Sequence, residues 1–386
     1  MIRQAVAPIL GNPPGSFAWT VFHQRHPVLI KQLADAVPYP PDIRAALSDL
    51  LAETVDGVIT PLDHRAHDHD TWSTWSRDYI GRRWTDVPFL WAESYFYRRL
   101  LHAVRYFHPG PWFALDPFEP LKTAELTHDS LDTELANFDR LLTLPADEQL
   151  PALLHASLWG NRADLGFALL AGNNAAADSR LVADDTTRLL ELLAGTDGEL
   201  CLVTDNAARE LIADLVLTDH LLTTNPRRAM TLHVKPAPYY VSDATTADVL
   251  ACLRRLGHAP TRLAHAGRRL HQAMTNGRLT IRTHPFSCAP LPYHDMPPEL
   301  ADQFHAAALT IMKGDLNYRR LVDDRHWPAT TPFSAVTAYF PGPVAALRTL
   351  KSDVAVGLDS TLLTALDASG TAWRTNGTQA LIQVRP

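Results

Sequence analysis

Leu200-Cys201-Leu202-Val203-Thr204-Asp205-Asn206-Ala207, read on through Leu211, Ile212, Leu215, Val216 and Leu222 to Met230-Thr231-Leu232-His233-Val234, is the stretch that decides the fold. A short apolar run, a helical stripe from Ala207 to Leu222 and a second short run make a strand, helix, strand unit with parallel strands. Runs at Leu279 to Arg282, Leu309 to Met312, Val354 to Val356 and Leu381 to Val384 continue the alternation. The expected class is α/β, a largely parallel sheet flanked by helices. Upstream of about residue 170 the rhythm is helical. Phe89 to Tyr106 carries apolar residues on one face, Leu153, Leu154 and Leu158 extend the pattern, and Pro38-Tyr39-Pro40-Pro41 and His108-Pro109-Gly110-Pro111 are joints. Two domains are expected, residues 1 to 170 helical and residues 171 to 386 α/β, with the site at the C-terminal ends of the strands.

The composition narrows the function classes. Of 386 residues, 46% are hydrophobic and 20% charged, an ordinary globular balance, and 35 basic against 42 acidic residues leave a net charge of −7. Without a basic block, nucleic acid and membrane surfaces are not expected partners. Cys201, Cys252 and Cys288 are too few and too scattered for a disulfide framework or a zinc site. No apolar run approaches the roughly 18 residues a membrane span needs, and no signal peptide is visible, so a cytoplasmic protein is expected.

In an open parallel sheet, ligands bind where the strands end. Here those ends carry Asp205-Asn206, Lys235 with Ser242-Asp243, and Lys313-Gly314-Asp315-Leu316-Asn317-Tyr318-Arg319, and the segment before the Val354 run supplies Arg348-Thr349-Leu350-Lys351. Asp205, Asn206 and Asp243 supply two carboxylates and one amide carbonyl, a hard oxygen set suited to Mg²⁺ or Mn²⁺. If Asn206 opens a helix, the amides of Ala207 and Ala208 face an anion, with Lys351 and Arg319 to neutralise it. Each fragment also has a plainer reading. Asp205-Asn206 makes a turn or helix cap, Ser242-Asp243 a helix start, and Arg319 and Lys351 solvated or ion-paired cations. Four loops on one edge, all ending in groups that a metal-phosphate site uses, favour the site.

Other signals are weaker. His64, His67 and His69 among Asp63, Asp68 and Asp70 read as a solvated loop, with metal capture the lesser alternative. Trp84, Trp91, Trp112 and Trp159 are expected to pack the helical half. There is no G-x-x-x-x-G-K-[ST], no G-x-S-x-G and no G-x-G-x-x-G after the first strand; Gly195-Thr196-Asp197-Gly198 precedes that strand. Asp205-Asn206-Ala207 also lacks the second Asp of a D-x-D phosphatase loop.

Taken in order, Leu158-Trp159-Gly160-Asn161-Arg162-Ala163-Asp164-Leu165, Val203 to Ala207, Glu210 to Leu215, Tyr239-Tyr240-Val241-Ser242-Asp243, Gly314 to Arg319 and Arg348 to Lys351 resemble the damage-control phosphatase family. This family was long called domain of unknown function 89, and the likeness is to its acidic-residue methyltransferase-like branch. Phe89 to Arg99 and Asp116-Pro117-Phe118 agree with it. The resemblance implies an N-terminal helical domain on a Rossmann-like α/β domain without a dinucleotide. It implies phosphatase activity on small phosphorylated metabolites, typically sugar phosphates such as fructose 1-phosphate, with Mn²⁺, Co²⁺, Ni²⁺ or Mg²⁺. By motif, the catalytic metal ligands fall on Asp205, Asn206 and Asp243, and substrate binding on Asp315, Leu316, Asn317, Tyr318, Arg319 and Lys351, with Asn161 a further candidate. One departure is Ala208-Arg209-Glu210 where the family usually has Gly-Phe-Glu, which removes backbone freedom and brings a cation near the site.

The leading expectation is a metal-dependent phosphomonoester hydrolase in which Glu93 and Arg98 of the helical half close over the crevice. The rivals are an S-adenosylmethionine-dependent carboxyl methyltransferase, which the absent glycine loop disfavours, and a non-catalytic phosphosugar-binding protein, which Ala208-Arg209 keeps open. Asp205 and Asp243 are expected to be exposed, so that their loss would leave the fold intact.

Overall fold

The computed structural model describes residues 6 to 160, 180 to 259 and 261 to 386. The boundary expected near residue 170, Asn161 and the alanines at 175 to 177 lie outside the described residues. Seven strands form one sheet: β1 (Leu181–Asp184), β2 (Glu199–Val203), β3 (Ala229–Val234), β4 (Leu279–Thr283), β5 (Leu309–Lys313), β6 (Val344–Thr349) and β7 (Ala380–Arg385). Their order is β1-β7-β6-β5-β2-β3-β4. All neighbours are parallel except β6 and β7. The expected α/β class, with a mostly parallel sheet flanked by helices, is what the chain adopts.

The strands read as unbroken apolar runs because both faces are covered. Successive side chains alternate between two cores. Leu200, Leu202, Leu309 and Ile311 enter one, together with Leu153, Leu154 and Leu215. Cys201, Val203, Met312 and Leu381 enter the other, which extends through Phe89, Trp84 and Trp91 to Phe22 and Leu33. The helices that matter for the site are α1 (His26–Ala36), α2 (Phe89–Ala103), α3 (Glu119–Leu126), α4 (Ser130–Leu141), α5 (Ala146–Trp159), α6 (Arg209–Thr224), α7 (Thr246–Gly257) and α8 (Gly314–Val322). In α6 every residue from Glu210 to Leu222 is buried, which explains why its stripe reads so broadly in the sequence.

Two strand assignments change: β1 falls outside every apolar run expected to be a strand, and one expected strand is not formed. Val354 to Val356 is an irregular segment, and the strand of this region is β6, ten residues earlier. The segment is apolar because it is buried, and its backbone is satisfied by side chains. Gln383 Nε2 donates to Val356 O at 2.6 Å, Val356 N donates to Tyr318 Oη at 3.2 Å, and Arg348 Nη1 donates to Val354 O at 2.5 Å. A three-residue apolar run does not distinguish a strand from such a loop.

Candidate active site

Because β6, β5, β2 and β3 are adjacent and parallel, their C-terminal ends share one edge of the sheet. The loops after β2 and β3 are stitched together. Ala244 N donates to Asp205 O at 2.8 Å, Ala207 N to Ser242 O at 2.7 Å, and Ser242 Oγ to Asn206 Oδ1 at 2.5 Å. Asp205, Asn206 and Asp243 thereby line one cavity of about 320 Å³, together with Asp315, Leu316, Arg319 and Lys351. Asn317 and Tyr318 do not line it. Asn317 Nδ2 donates to Thr204 O and Lys313 O at 2.9 and 2.8 Å, tying α8 to β2, and Tyr318 Oη donates to Gln383 Oε1 at 3.0 Å.

The carboxylates are not exposed: Asp205 is 6% and Asp243 2% accessible. Burial, then Glu210 and Asp243, pushes the Asp205 carboxyl well above its usual range against the pull of Lys351 and Lys235. Burial likewise raises Asp243, against Lys235 and Lys122. Lys235 Nζ lies 3.3 Å from Asp243 Oδ2, yet that oxygen makes no hydrogen bond of normal geometry among the described residues. Asn206 Nδ2 donates to Asp205 Oδ2 at 3.0 Å and to Glu210 Oε2 at 2.9 Å. At Gly314, whose φ is +83°, a Cβ would overlap the Asp205 carboxylate, so only glycine lets α8 begin this close to it. Two buried carboxylates, one with an oxygen that makes no hydrogen bond among the described residues, beside an amide oxygen, form a donor set that fits a hard divalent cation.

The cations divide into bound and free. Arg319 gives Nε and Nη2 to Asp324 at 3.0 and 2.9 Å and Nη1 to Glu93 at 2.7 Å, so the structure commits it to two carboxylates, where a phosphate partner was expected. Lys351 has no ion-pair partner among the described residues, while its backbone N donates to Asp315 Oδ1 at 3.1 Å. Arg348, unassigned in the sequence reading, is fully buried and holds that loop, donating to Asp315 Oδ1 at 2.8 Å and to Ser352 O at 3.0 Å. Burial raises Asp315, but Arg348 and Arg319 outweigh it and keep the carboxyl below its ordinary value.

Several expectations are corrected. The Ala207 amide is already bonded to Ser242, and α6 begins at Arg209, so the pair of free amides facing an anion does not form. Arg209 points away from the site, donating to Glu134 and to Ser130 Oγ on α4. The feature that kept a non-catalytic reading open is thus an inter-helix tie. Glu93 lines the cavity, but Arg98 pairs with Asp68 at 2.8 Å through Nε, elsewhere on the molecule. In the histidine loop, His69 Nδ1 bonds Leu62 O at 3.1 Å and Asp63 binds Arg65 at 2.8 Å; no cluster of three or more His, Cys, Asp or Glu groups suited to a metal occurs among the described residues. Arg25, His26, Tyr97 and Tyr240 also line the cavity. Arg25 and His26 belong to no motif in the local sequence, because tertiary packing brings the N-terminal helices over the sheet edge, while Tyr97 and Tyr240 fall within stretches that carry the family resemblance but had no expected role.

The Damage-control phosphatase ARMT1-like domain family matches residues 21–363. Among curated proteins the chain is similar to Damage-control phosphatase ARMT1 of Danio rerio, 28% identical over 429 residues and covering 96% of this chain and 94% of that protein. The Homo sapiens protein of the same name is 26% identical over 435 residues, with 98% of each covered, and that of Xenopus laevis is 30% identical over 333 residues, covering 78% and 75%. Among solved structures, a DUF89 family protein from Pyrococcus horikoshii superposes with a TM-score of 0.52 at 14% identity, covering 94% of this chain and 96% of that one. The chain belongs to the damage-control phosphatase family. It is a phosphatase, of a family that uses a divalent metal on small phosphorylated metabolites.

Proposed function

We propose that the chain hydrolyses phosphomonoesters of sugar phosphates, with fructose 1-phosphate as a representative substrate and Mn²⁺, Co²⁺, Ni²⁺ or Mg²⁺ as the cation, in the cytoplasm. The observation that carries this reading is that two buried carboxylates, Asp205 and Asp243, both raised by burial, share one cavity with Lys351, which has no ion-pair partner among the described residues. Asp205, Asn206 and Asp243 would hold the metal, which supplies charge neutralisation on a phosphoryl oxygen and acidifies a water. Lys351 binds the phosphate oxygens as a point charge. Asp315, kept ionised by Arg348, accepts hydrogen bonds from substrate hydroxyls and is too acidic for a good proton donor. Arg319 acts indirectly, holding Glu93 against α8 at the cavity wall.

The test is phosphate release from a panel of phosphorylated metabolites with each metal in turn. Sugar phosphates are expected among the best substrates, and Asp205→Ala or Asp243→Ala should lower kcat by at least about 100-fold. Wild-type protein that releases no phosphate from any panel member would end the reading. For the methyltransferase alternative, calorimetric titration with S-adenosylmethionine is expected to give no binding heat.

A further inference from the structure

Part of the cavity wall is built by the N-terminal helical segment. Val21–Arg25 forms a π-helical turn, with the His26 amide reaching back five residues to Val21 O. Turns of this kind widen a helix locally and recur at functional sites. This one is continuous with α1 and brings Val21, Arg25, His26 and Leu29 to the cavity.

His26 is the unusual member. It is 1% accessible, and neither Nδ1 nor Nε2 has a hydrogen-bond partner among the described residues. Its ring is held by aromatic packing alone, stacked on Phe96 at 3.5 Å between centroids and edge-on to Phe22 at 5.4 Å and Tyr97 at 6.2 Å. An orphaned buried imidazole costs stability unless something bonds to it. Burial, reinforced by Arg25, keeps it neutral by lowering its pKa to about 3. A neutral imidazole has one donor and one acceptor nitrogen, which is the complement of a hydroxyl group. A phosphate or carboxylate, by contrast, would call for a cation.

Resting on the phosphatase reading above, we propose that His26 is a specificity residue that hydrogen-bonds the hydroxyl groups of the leaving group and so selects polyol and sugar esters over esters without hydroxyls. The rest of the cavity agrees with this division. Lys351 provides for the phosphate, while Asp315, Glu93, Tyr97 and Tyr240 line the same cavity as His26 and add polar groups to it.

The experiment measures kcat and KM for fructose 1-phosphate and p-nitrophenyl phosphate with wild type, His26→Leu and His26→Gln, together with their thermal midpoints. Wild type should favour the sugar ester. His26→Leu should raise KM for it about tenfold with a smaller change in kcat, leave KM for the aryl ester unaltered, and unfold no earlier than wild type. His26→Gln, which restores a donor and an acceptor, should recover most of the loss. Equal KM changes for both esters, identical kinetics in the Leu and Gln variants, or a wild type that prefers the aryl ester would overturn the proposal. A structural role would show instead as a lower thermal midpoint with parallel loss of kcat on both esters. Absence of turnover on either ester with any metal would remove the phosphatase reading and this inference with it.

Discussion

At the level of single residues, the site is marked by strained backbone. Ala208, Tyr240 and Val241 have φ of 56°, 46° and 66°, and all three belong to the loops that carry Asn206 and Asp243. Positive φ costs a residue with a Cβ about 1 kcal/mol or more, and a β-branched side chain pays most. The strain persists because cross-loop bonds such as Ala207 N to Ser242 O leave those loops no alternative. At Ala208 the resemblance leads one to expect glycine, and its ψ of −121° confirms a conformation in which glycine is at ease. Ala208→Gly should therefore stabilise the protein by about 1 kcal/mol, read as a higher denaturant midpoint with an unchanged m-value, at nearly unchanged activity. Gly314→Ala should do the reverse. A methyl group aimed at the Asp205 carboxylate must displace it or the start of α8, so activity is expected to fall at least about 100-fold, while circular dichroism reports an intact fold.

At the level of elements, two cations that look equivalent in the sequence have different roles. Lys351 sits in the loop after β6 and has no ion-pair partner among the described residues, so Lys351→Ala should raise KM for the phosphate ester by about tenfold and barely change stability. Arg319 is buried in α8 between Glu93 and Asp324, so Arg319→Ala should destabilise by about 3 to 5 kcal/mol, because it strands two carboxylates. Equilibrium unfolding and steady-state kinetics on the two variants separate these outcomes. The difference was illegible in the sequence, since an ion pair formed by α8, its following loop and α2 leaves no local pattern. What was legible followed from repetition: apolar runs separated by a helical stripe gave the parallel sheet, and the strand-end rule then put Asp205, Asn206, Asp243 and Asp315 on one edge, whereas Lys351, expected ahead of a strand at Val354, reaches that edge because the strand is β6 and Lys351 follows it. The same logic drew in Asn317 and Tyr318, which have the right chemistry but point from α8 into the core. The β6 strand was masked by Ala345 and Ala346, poor strand formers that nonetheless lie fully buried between β5 and β7.

At the level of the whole molecule, the sheet edge keeps groups that a ligand would complete, and solution conditions should reveal this. A divalent cation that binds only the folded state stabilises it by about 2.7 kcal/mol at one hundred times its Kd, so saturating Mn²⁺ should raise the thermal midpoint of wild type but not of Asp243→Asn. Acid provides a second probe. His26 is folded in its neutral form with a pKa lowered to about 3, whereas in the unfolded chain it titrates near 6.5. Its contribution to stability is fully present above pH 6.5 and is lost as pH falls towards 3, because the unfolded state takes up the proton first. Buried carboxylates such as Asp214, raised to about 6 by burial against the pull of Lys313, act in the opposite direction. The unfolded chain releases their protons at lower pH than the folded one, so their contribution weakens as pH rises from about 4 to 6. The absolute pH profile mixes both signs, but the carboxylates are common to wild type and His26→Leu and cancel in the comparison. The stability of His26→Leu relative to wild type should therefore grow as pH falls, by about 2 kcal/mol between pH 6.5 and pH 5, in paired urea titrations. A difference that stays constant over that range would mean the imidazole is not buried in its neutral form, and would remove the physical ground for its pairing with a hydroxyl.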